Sequence, residues 1–330
     1  MADIVAPNGS PLSVAVLGTS DMEASLRLYR DMIGLDVVER RTWSGPELEQ
    51  HWCLPSGSTV DAAFLQAGSS DVGRVMLLDC QGVERKLVRA NKEPWHYGLS
   101  NLNFYTADIH AAAKEFAAAG FEFWSEPKAH PMTPEVGTPI EVVFEGPDGV
   151  LINLVELATT DPKTRIGQMR AYVEKHGRTG TGFTPVVTSN HVLQSLDKGR
   201  QFYEDVLLMG VLIDEELSSA EARHFLRLGD NRIWTLFMQG NHMFGKIATS
   251  TPLDFTPPNT TPRAVPPNRG YLAQTFVVND FGRAITACEN LGVETFSPEM
   301  TIDLPGFGKR QTIVVRNPGS GALQELVAPN

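Results

Sequence analysis

Along residues 14–38, VAVLGTSDMEASLRLYRDMIGLDVV, the spacing of apolar positions changes twice. An apolar run over 12–19 reads as a strand, Ser20-Asp21 offers a helix cap, and Met22, Leu26, Tyr29 and Ile33 then recur at helical spacing. Gly34 stops the helix and residues 36–42 return as a strand. The stretch 43–58 reads as a polar loop carrying His51-Trp52, and strands over 60–66 and 74–80 complete a β-α-β-β-β unit. The pattern is written again at 187–212, where Phe202-Tyr203-Glu204-Asp205-Val206-Leu207 answers Leu28-Tyr29-Arg30-Asp31-Met32-Ile33. A short solenoid repeat would have a period of roughly 20–50 residues, so this spacing means duplication of a whole supersecondary unit.

The intervening segments follow the same plan. Residues 99–106 predict a strand, Asp108 caps a helix over 110–119, and strands over 141–145 and 150–157 flank the turn Gly146-Pro147-Asp148-Gly149. Near the C-terminus Gln274–Val278 with Asn279-Asp280-Phe281 matches Asn101–Thr106 with Ala107-Asp108-Ile109, and Asn317-Pro318-Gly319 answers the earlier turn. The reading is an α+β chain of two domains, each made of two β-α-β-β-β units around a concave mixed sheet. The first domain covers 1–158, with units at 12–82 and 97–158. A linker helix and Gly-rich hinge occupy 159–182. The second domain covers 183–330, with units at 183–240 and 269–330. Residues 1–11 read as a loose lead, and the Thr-, Pro- and Asn-rich stretch 248–268 as a long loop.

Composition narrows the function. At 330 residues with 42% hydrophobic and 20% charged positions, the chain has the make-up of a soluble globular protein long enough for two cores. No apolar run approaches the roughly 18 residues of a membrane span, and the N-terminus lacks a signal pattern, so the expected compartment is the cytoplasm. A net charge of −11 disfavours nucleic acid as a partner. Cys53, Cys80 and Cys288 are isolated thiols, read as buried and apolar. Gly306-x-Gly308-Lys309 lacks the spacing of a phosphate loop.

Two motifs carry a family resemblance: Ser20-Asp21 with Leu28-Tyr29-Arg30-Asp31-Met32-Ile33-Gly34-Leu35, and Gly146-Pro147-Asp148-Gly149 with Leu154-Val155-Glu156. Their order resembles the vicinal oxygen chelate superfamily of glyoxalase I, bleomycin-resistance proteins and type I extradiol dioxygenases, and the four-unit length resembles the dioxygenases most. The resemblance implies curled sheets, homodimerisation, and a metal held by a His on a first strand and a Glu on a last strand. At the His places this chain has Val14, Asn101, Thr188 and Ala273; at the Glu places it has Met76, Asn153, Trp234 and Glu325. Such groups make a poor set for a hard divalent ion, so neither metal nor other cofactor is expected. His191 falls on the opposite strand face from Thr188.

Strand alternation then nominates cavity linings. Val14, Val16, Met76 and Leu78 would join Asn101, Asn103, Tyr105 and Asn153 in one cavity; Thr188, Asn190, Trp234, Thr275 and Glu325 would line the other. The favoured function is a metal-independent small-molecule enzyme doing lyase, isomerase or hydrolytic acid–base chemistry on an aromatic or polyoxygenated substrate. Glu325 is the expected base and His224, placed on the third strand of its unit, its acid partner, with Asn101, Asn103, Tyr105, Asn153, Thr188, Asn190, Trp234 and Thr275 binding substrate. His51, His96, His130 and His242 are further loop candidates. The alternatives are a binding protein of the bleomycin-resistance type, needing no titratable group, and an Fe(II) or Mn(II) ring-cleaving dioxygenase using His191 and Glu325.

Overall fold

Sixteen strands and the helices between them follow one another as four β-α-β-β-β units in a computed structural model that describes residues 5–217 and 219–330. Unit one comprises β1 (Val14–Gly18), α1 (Met22–Leu26), β2 (Asp36–Ser44), α2 (Pro46–Trp52), β3 (Thr59–Gln66) and β4 (Arg74–Gln81). Unit two comprises β5 (Gly98–Thr106), α3 (Ile109–Ala118), the two-residue β6 (Lys128–Ala129), β7 (Pro139–Glu145) and β8 (Leu151–Leu157). Helix α4 (Arg165–His176) follows. Unit three comprises β9 (Thr188–Val192), α5 (Leu196–Gln201), β10 (Gly210–Glu216), α6 (Ala220–Phe225), β11 (Ile233–Gln239) and β12 (Lys246–Pro252). Unit four comprises β13 (Gly270–Val277), α7 (Phe281–Asn290), β14 (Thr295–Leu304), β15 (Gly308–Arg316) and β16 (Leu323–Val327).

The helices start where the sequence places caps. Asp21, Asp108, Ser195 and Asp280 each accept a hydrogen bond from the backbone N–H three residues on. In units one and three the helix then widens into a π-type turn, over Arg27–Met32 and Phe202–Val206, which buries Tyr29 and Tyr203. The turns of units two and four dock on these helix starts. Asp148, at φ 53°, accepts from Thr19 Oγ1, Ser20 N and Ser20 Oγ at 2.8–3.0 Å, while Gly319 O accepts from Gln194 N and Ser195 N.

The strands form two curled eight-stranded sheets. Sheet I runs β14-β15-β16-β13-β1-β4-β3-β2 and sheet II runs β10-β11-β12-β9-β5-β8-β7-β6. Unit one therefore shares a sheet with unit four, and unit two with unit three; the two cavities expected from consecutive units are corrected accordingly. The seams are antiparallel, with Val14 opposite Thr275 and Val16 opposite Ala273 in sheet I, and Asn103 opposite Thr188 in sheet II. This pairing gathers the Asn and Thr side chains of the first strands into sheet II and leaves Val14, Val16 and Ala273 together in sheet I. Joining unit one to unit two would have set buried amides against valines, at the cost of unpaired polar groups.

Strand alternation holds on both sheets. Ala15, Leu17, Leu102, Phe104, Ile152, Leu154 and Phe276 join helices α1, α3, α5 and α7 in one core. His191, on the same side, bonds Tyr203 Oη at 2.6 Å and Ser320 Oγ at 2.5 Å, so it points away from the concave face.

Four loop readings change. Residues 46–52 of the expected polar loop are α2, with Pro46 in its first turn and Leu48, His51 and Trp52 buried. Residues 246–252 at the edge of the expected long loop are β12, so the connection shortens to 253–269. That segment packs on the other inter-unit connection through Leu87–Arg269 and Tyr97–Asn259 bridges and the Trp95–Phe255 ring contact. Residues 5–11 of the expected loose lead are fastened, Ser10 N donating to Leu207 O at 2.8 Å; residues 1–4 lie outside the described residues. Thr179 of the Gly-rich stretch donates to Ile33 O at 2.7 Å. Cys80 and Cys288 are buried, whereas Cys53 is exposed.

Candidate active site

The concave face of sheet II encloses a cavity of about 170 Å³. An apolar cavity of about 150 Å³ holds a benzene molecule, so the space suits a single substituted ring. Its floor is the sheet. One wall is α4 through Ile166 and Met169, and another is α6 through Ala222 and Phe225. Both walls follow from sequence: Thr164 caps α4, accepting from Gly167 N, and Ile166 at its first turn faces inward with Tyr105, Val155 and Leu157. Ser219 caps α6 in the same way and sets Ala222 and Phe225 against Val143 and Leu151.

Polar groups interrupt the apolar lining in two places. On β7, Glu141 is turned inward and its Oε1 lies 2.7 Å from His130 Nε2, while its Oε2 accepts from Asn153 Nδ2 at 2.5 Å. Burial pushes the Glu141 carboxyl up, but the charge and hydrogen bond of His130 and the bond from Asn153 outweigh it and hold the group below its usual range. The imidazole of His130 lies against Phe225 with ring centroids 5.1 Å apart, and its Nδ1 is buried with no partner. Asn153 Oδ1, Asn190 Oδ1 and Thr235 Oγ1, all in residues that line the cavity, are likewise buried without partners.

The second place is Lys246, at the start of β12 and paired in register with Thr188. Its ammonium is buried, donating to Met243 O, and Met169 Sδ lies 3.4 Å away. Burial pulls its pKa down to about 7. Tyr105 on β5 donates its hydroxyl to the same Met169 Sδ. Burial, and after it the negative charge of Glu141, push the phenol well above its ordinary range. Beside it, Asn101 Nδ2 donates to Asn103 Oδ1 at 2.5 Å, leaving the Asn103 amide N–H groups as donors.

Of the expected binding residues, Asn103, Tyr105, Asn153, Thr188 and Asn190 come together on this one face. Asn101, two residues along the same strand, is not among the lining residues and is tied to the site through its bond to Asn103. Trp234 faces the other side of β11, since Ile233, Thr235 and Phe237 line the cavity, and its Nε1 donates to Asp214 at 2.7 Å. His224 is on helix α6 rather than a strand and borders an outer groove with Trp124, Arg223 and Arg227. Glu325 and Thr275 belong to sheet I, apart from His224. There Glu325 Oε1 meets His51 Nε2 at 2.7 Å, Thr275 donates to Oε2, and Trp43, Leu48, Trp52 and Phe64 fill the hollow around them. His130 had a signal in sequence, as one of the loop histidines. Glu141 and Lys246 had only strand alternation, and for Lys246 the strand itself went unread.

Two curled mixed sheets with helices packed between them define a glyoxalase-like α+β protein. A family model described as the Glyoxalase/Bleomycin resistance protein/Dioxygenase superfamily matches residues 12–154. Glyoxalase I from Zea mays is similar in structure, with a TM-score of 0.61 at 15% identity over 97% of this chain and 92% of that one. A Bacillus subtilis protein described as a candidate dioxygenase is also similar, with a TM-score of 0.56 at 11% identity over 98% of this chain and 86% of that one. At these identities the likeness is one of fold. No curated protein matches the chain in sequence. No described helix is long and apolar enough to cross a membrane.

The superfamily's metal can be tested against the donors present. Parallel register aligns Met76 with Val16, Asn153 with Asn103, Glu325 with Thr275, and Ala248 with Asn190. Ala248 on β12, not Trp234 on β11, is therefore the closing-strand position of unit three. Sheet II offers only neutral amides, a hydroxyl and a methyl at these places, and sheet I a single carboxylate. This set does not fit a divalent ion. Among the described residues no group of three or more His, Cys, Asp and Glu could hold a metal.

Proposed function

We propose that the chain is an enzyme performing acid–base chemistry, of lyase, isomerase or hydrolytic type, on a small oxygenated molecule the size of one substituted ring, held in the cavity of sheet II. One observation carries the reading. His130 is a carboxylate-backed imidazole that lines a mostly apolar cavity and whose Nδ1 has no hydrogen-bond partner. In this role Glu141 fixes the tautomer and steadies the imidazolium, Asn153 fixes Glu141, and His130 Nδ1 takes a proton from substrate and returns it. The Asn103 amide is a donor for negative charge developing on a substrate oxygen. The base assigned to Glu325 from sequence moves to the His130–Glu141 pair, because Glu325 is enclosed by its own packing.

The reading is tested by incubating the protein with single-ring oxygenated compounds in deuterated water and following solvent exchange or product by NMR. His130→Gln should cut the rate by about 10²–10⁴-fold, the usual worth of a positioned acid–base group, with ligand affinity changed little. A compound turned over equally well by wild type and His130→Gln would sink the proposal.

A further inference from the structure

Two strong donors in the cavity share one weak acceptor. The Lys246 ammonium and the Tyr105 hydroxyl both converge on the thioether sulfur of Met169, and Lys246 has one further acceptor, Met243 O. No carboxylate lies within ion-pairing distance of Lys246 among the described residues. Both side chains are almost fully buried, Lys246 at 3% and Tyr105 at 6% exposure. A buried ammonium without a counter-charge is costly, and a thioether is a poor recipient for either donor. The other charged groups of the lining are His130 with Glu141, which are internally matched, and Arg165 and Glu215, neither of which is within ion-pairing distance of Lys246. The missing partner is therefore an anionic, two-oxygen acceptor arriving from outside.

We propose that Lys246 and Tyr105 form a carboxylate-binding subsite, and that the substrate of this cavity is a small ring-bearing carboxylic acid anchored by its carboxylate at the α4 end. The proposal rests on the cavity reading above and adds the substrate class to it. One carboxylate oxygen accepts from Lys246 Nζ and the other from Tyr105 Oη, with Met169 displaced along its flexible stem. No bond is made or broken in this step. The depressed pKa of Lys246 agrees with the geometry, since an amine held near neutrality accepts a proton when an anion arrives and supplies its charge only to a charged guest. Near it are Tyr105 from β5 and His242 from the turn before β12; burial lowers the His242 pKa, the Asp71 charge opposes that, and the Lys246 charge lowers it further.

Benzoate and its neutral isostere benzamide separate the ideas when titrated calorimetrically into the full-length protein at pH 6.5. Benzoate should bind roughly 10–100-fold tighter than benzamide, the worth of charge-assisted hydrogen bonds. Lys246→Met should abolish that preference while leaving benzamide affinity unchanged, and Tyr105→Phe should reduce it by about 10-fold. Equal affinity for the two probes would overturn the carboxylate subsite and leave the cavity reading standing. Failure of both probes to bind would overturn the subsite together with the cavity reading. A preference for benzoate that survives in a folded Lys246→Met variant would overturn the assignment to this lysine.

Discussion

In sheet I the chain fills its own hollow. Helix α2 lays Leu48 and Trp52 into the concave face beside Trp43 and Phe64, and the His51–Glu325 pair beneath them is 0% and 1% exposed. In sheet II the corresponding face stays open, and the His130–Glu141 pair, at 6% and 16%, borders a cavity. Two sheets with the same strand plan and one buried His–Glu pair each thus differ by what a single connection does. In unit one the link between β2 and β3 folds inward as a short helix. In unit three the link between β10 and β11 is also a helix, α6, but it stands as a wall. Both imidazoles leave Nδ1 without a partner, so the same pair of residue types is a packing device where α2 covers it and a candidate for chemistry where it borders a cavity.

The largest expected difference between the halves comes from the sheet I pair. His51→Gln removes one partner of a buried pair and should cost about 3–5 kcal/mol of unfolding free energy in urea titrations. The rate of any reaction found should stay unaltered wherever the variant is folded. If that variant instead kept its stability and lost activity, the division between a filled and a working sheet would be reversed.

Lys246→Met should move stability the other way. The lysine is depressed to about 7 in the fold against its ordinary 10.5, so the cost of its burial is fully present below pH 7 and disappears as pH rises toward 10.5. The variant should be more stable than wild type by roughly 2–4 kcal/mol near pH 6.5, with the advantage shrinking to nothing by about pH 10.5. A destabilised variant at pH 6.5 would show that the amine holds the sheet together rather than waiting for a guest.

Acid bears on the side of sheet II. His191 is pulled down to about 3 by burial, and His96, whose Nε2 lies 3.0 Å from Leu99 O, to about 3 by burial and then by the Arg89 charge. Between pH 6.5 and 3 the unfolded chain binds more protons at both sites than the folded one does. Stability present above pH 6.5 is therefore lost through that window, by up to about 1.4 kcal/mol per pH unit for each group. Urea midpoints at pH 7, 6, 5 and 4 check the slope, and His96→Asn should flatten it. The smallest effect sought is none at all. Dialysis against a strong chelator should leave turnover unchanged, and activity lost on chelation and restored by Fe(II) or Mn(II) would contradict the donor sets of both sheets.

Much of this was legible in the sequence. The repeated motif fixed the units, and alternation put Asn103, Tyr105, Asn153, Thr188 and Asn190 on one kind of face, where they lie together. Which copies share a sheet was not legible, because all four first strands carry the same local signal and only the match of polar with polar across a seam decides. Helix α2 was hidden by its polar residues, although Pro46 with Leu48, His51 and Trp52 at helical spacing is a helix pattern. Strand β12 was hidden by composition: Thr, Ser and Pro read as loop, and the buried lysine went with them. The His130–Glu141 pair joins residues from a loop and a strand whose distance in space no local pattern records.

The crossed pairing of units also speaks to ancestry. Each sheet takes one unit from each half of the chain, so the seam at β5 and β9, or at β1 and β13, is the kind of junction two identical half-length chains would make about a twofold axis. Residues 177–182 then act as a splice that converts such a symmetric dimer into a single chain. Once the two sheets are encoded separately they are free to drift apart, one toward solidity and the other toward a vacancy. Two identical chains cannot make that change, because every substitution in them appears on both sides of the axis.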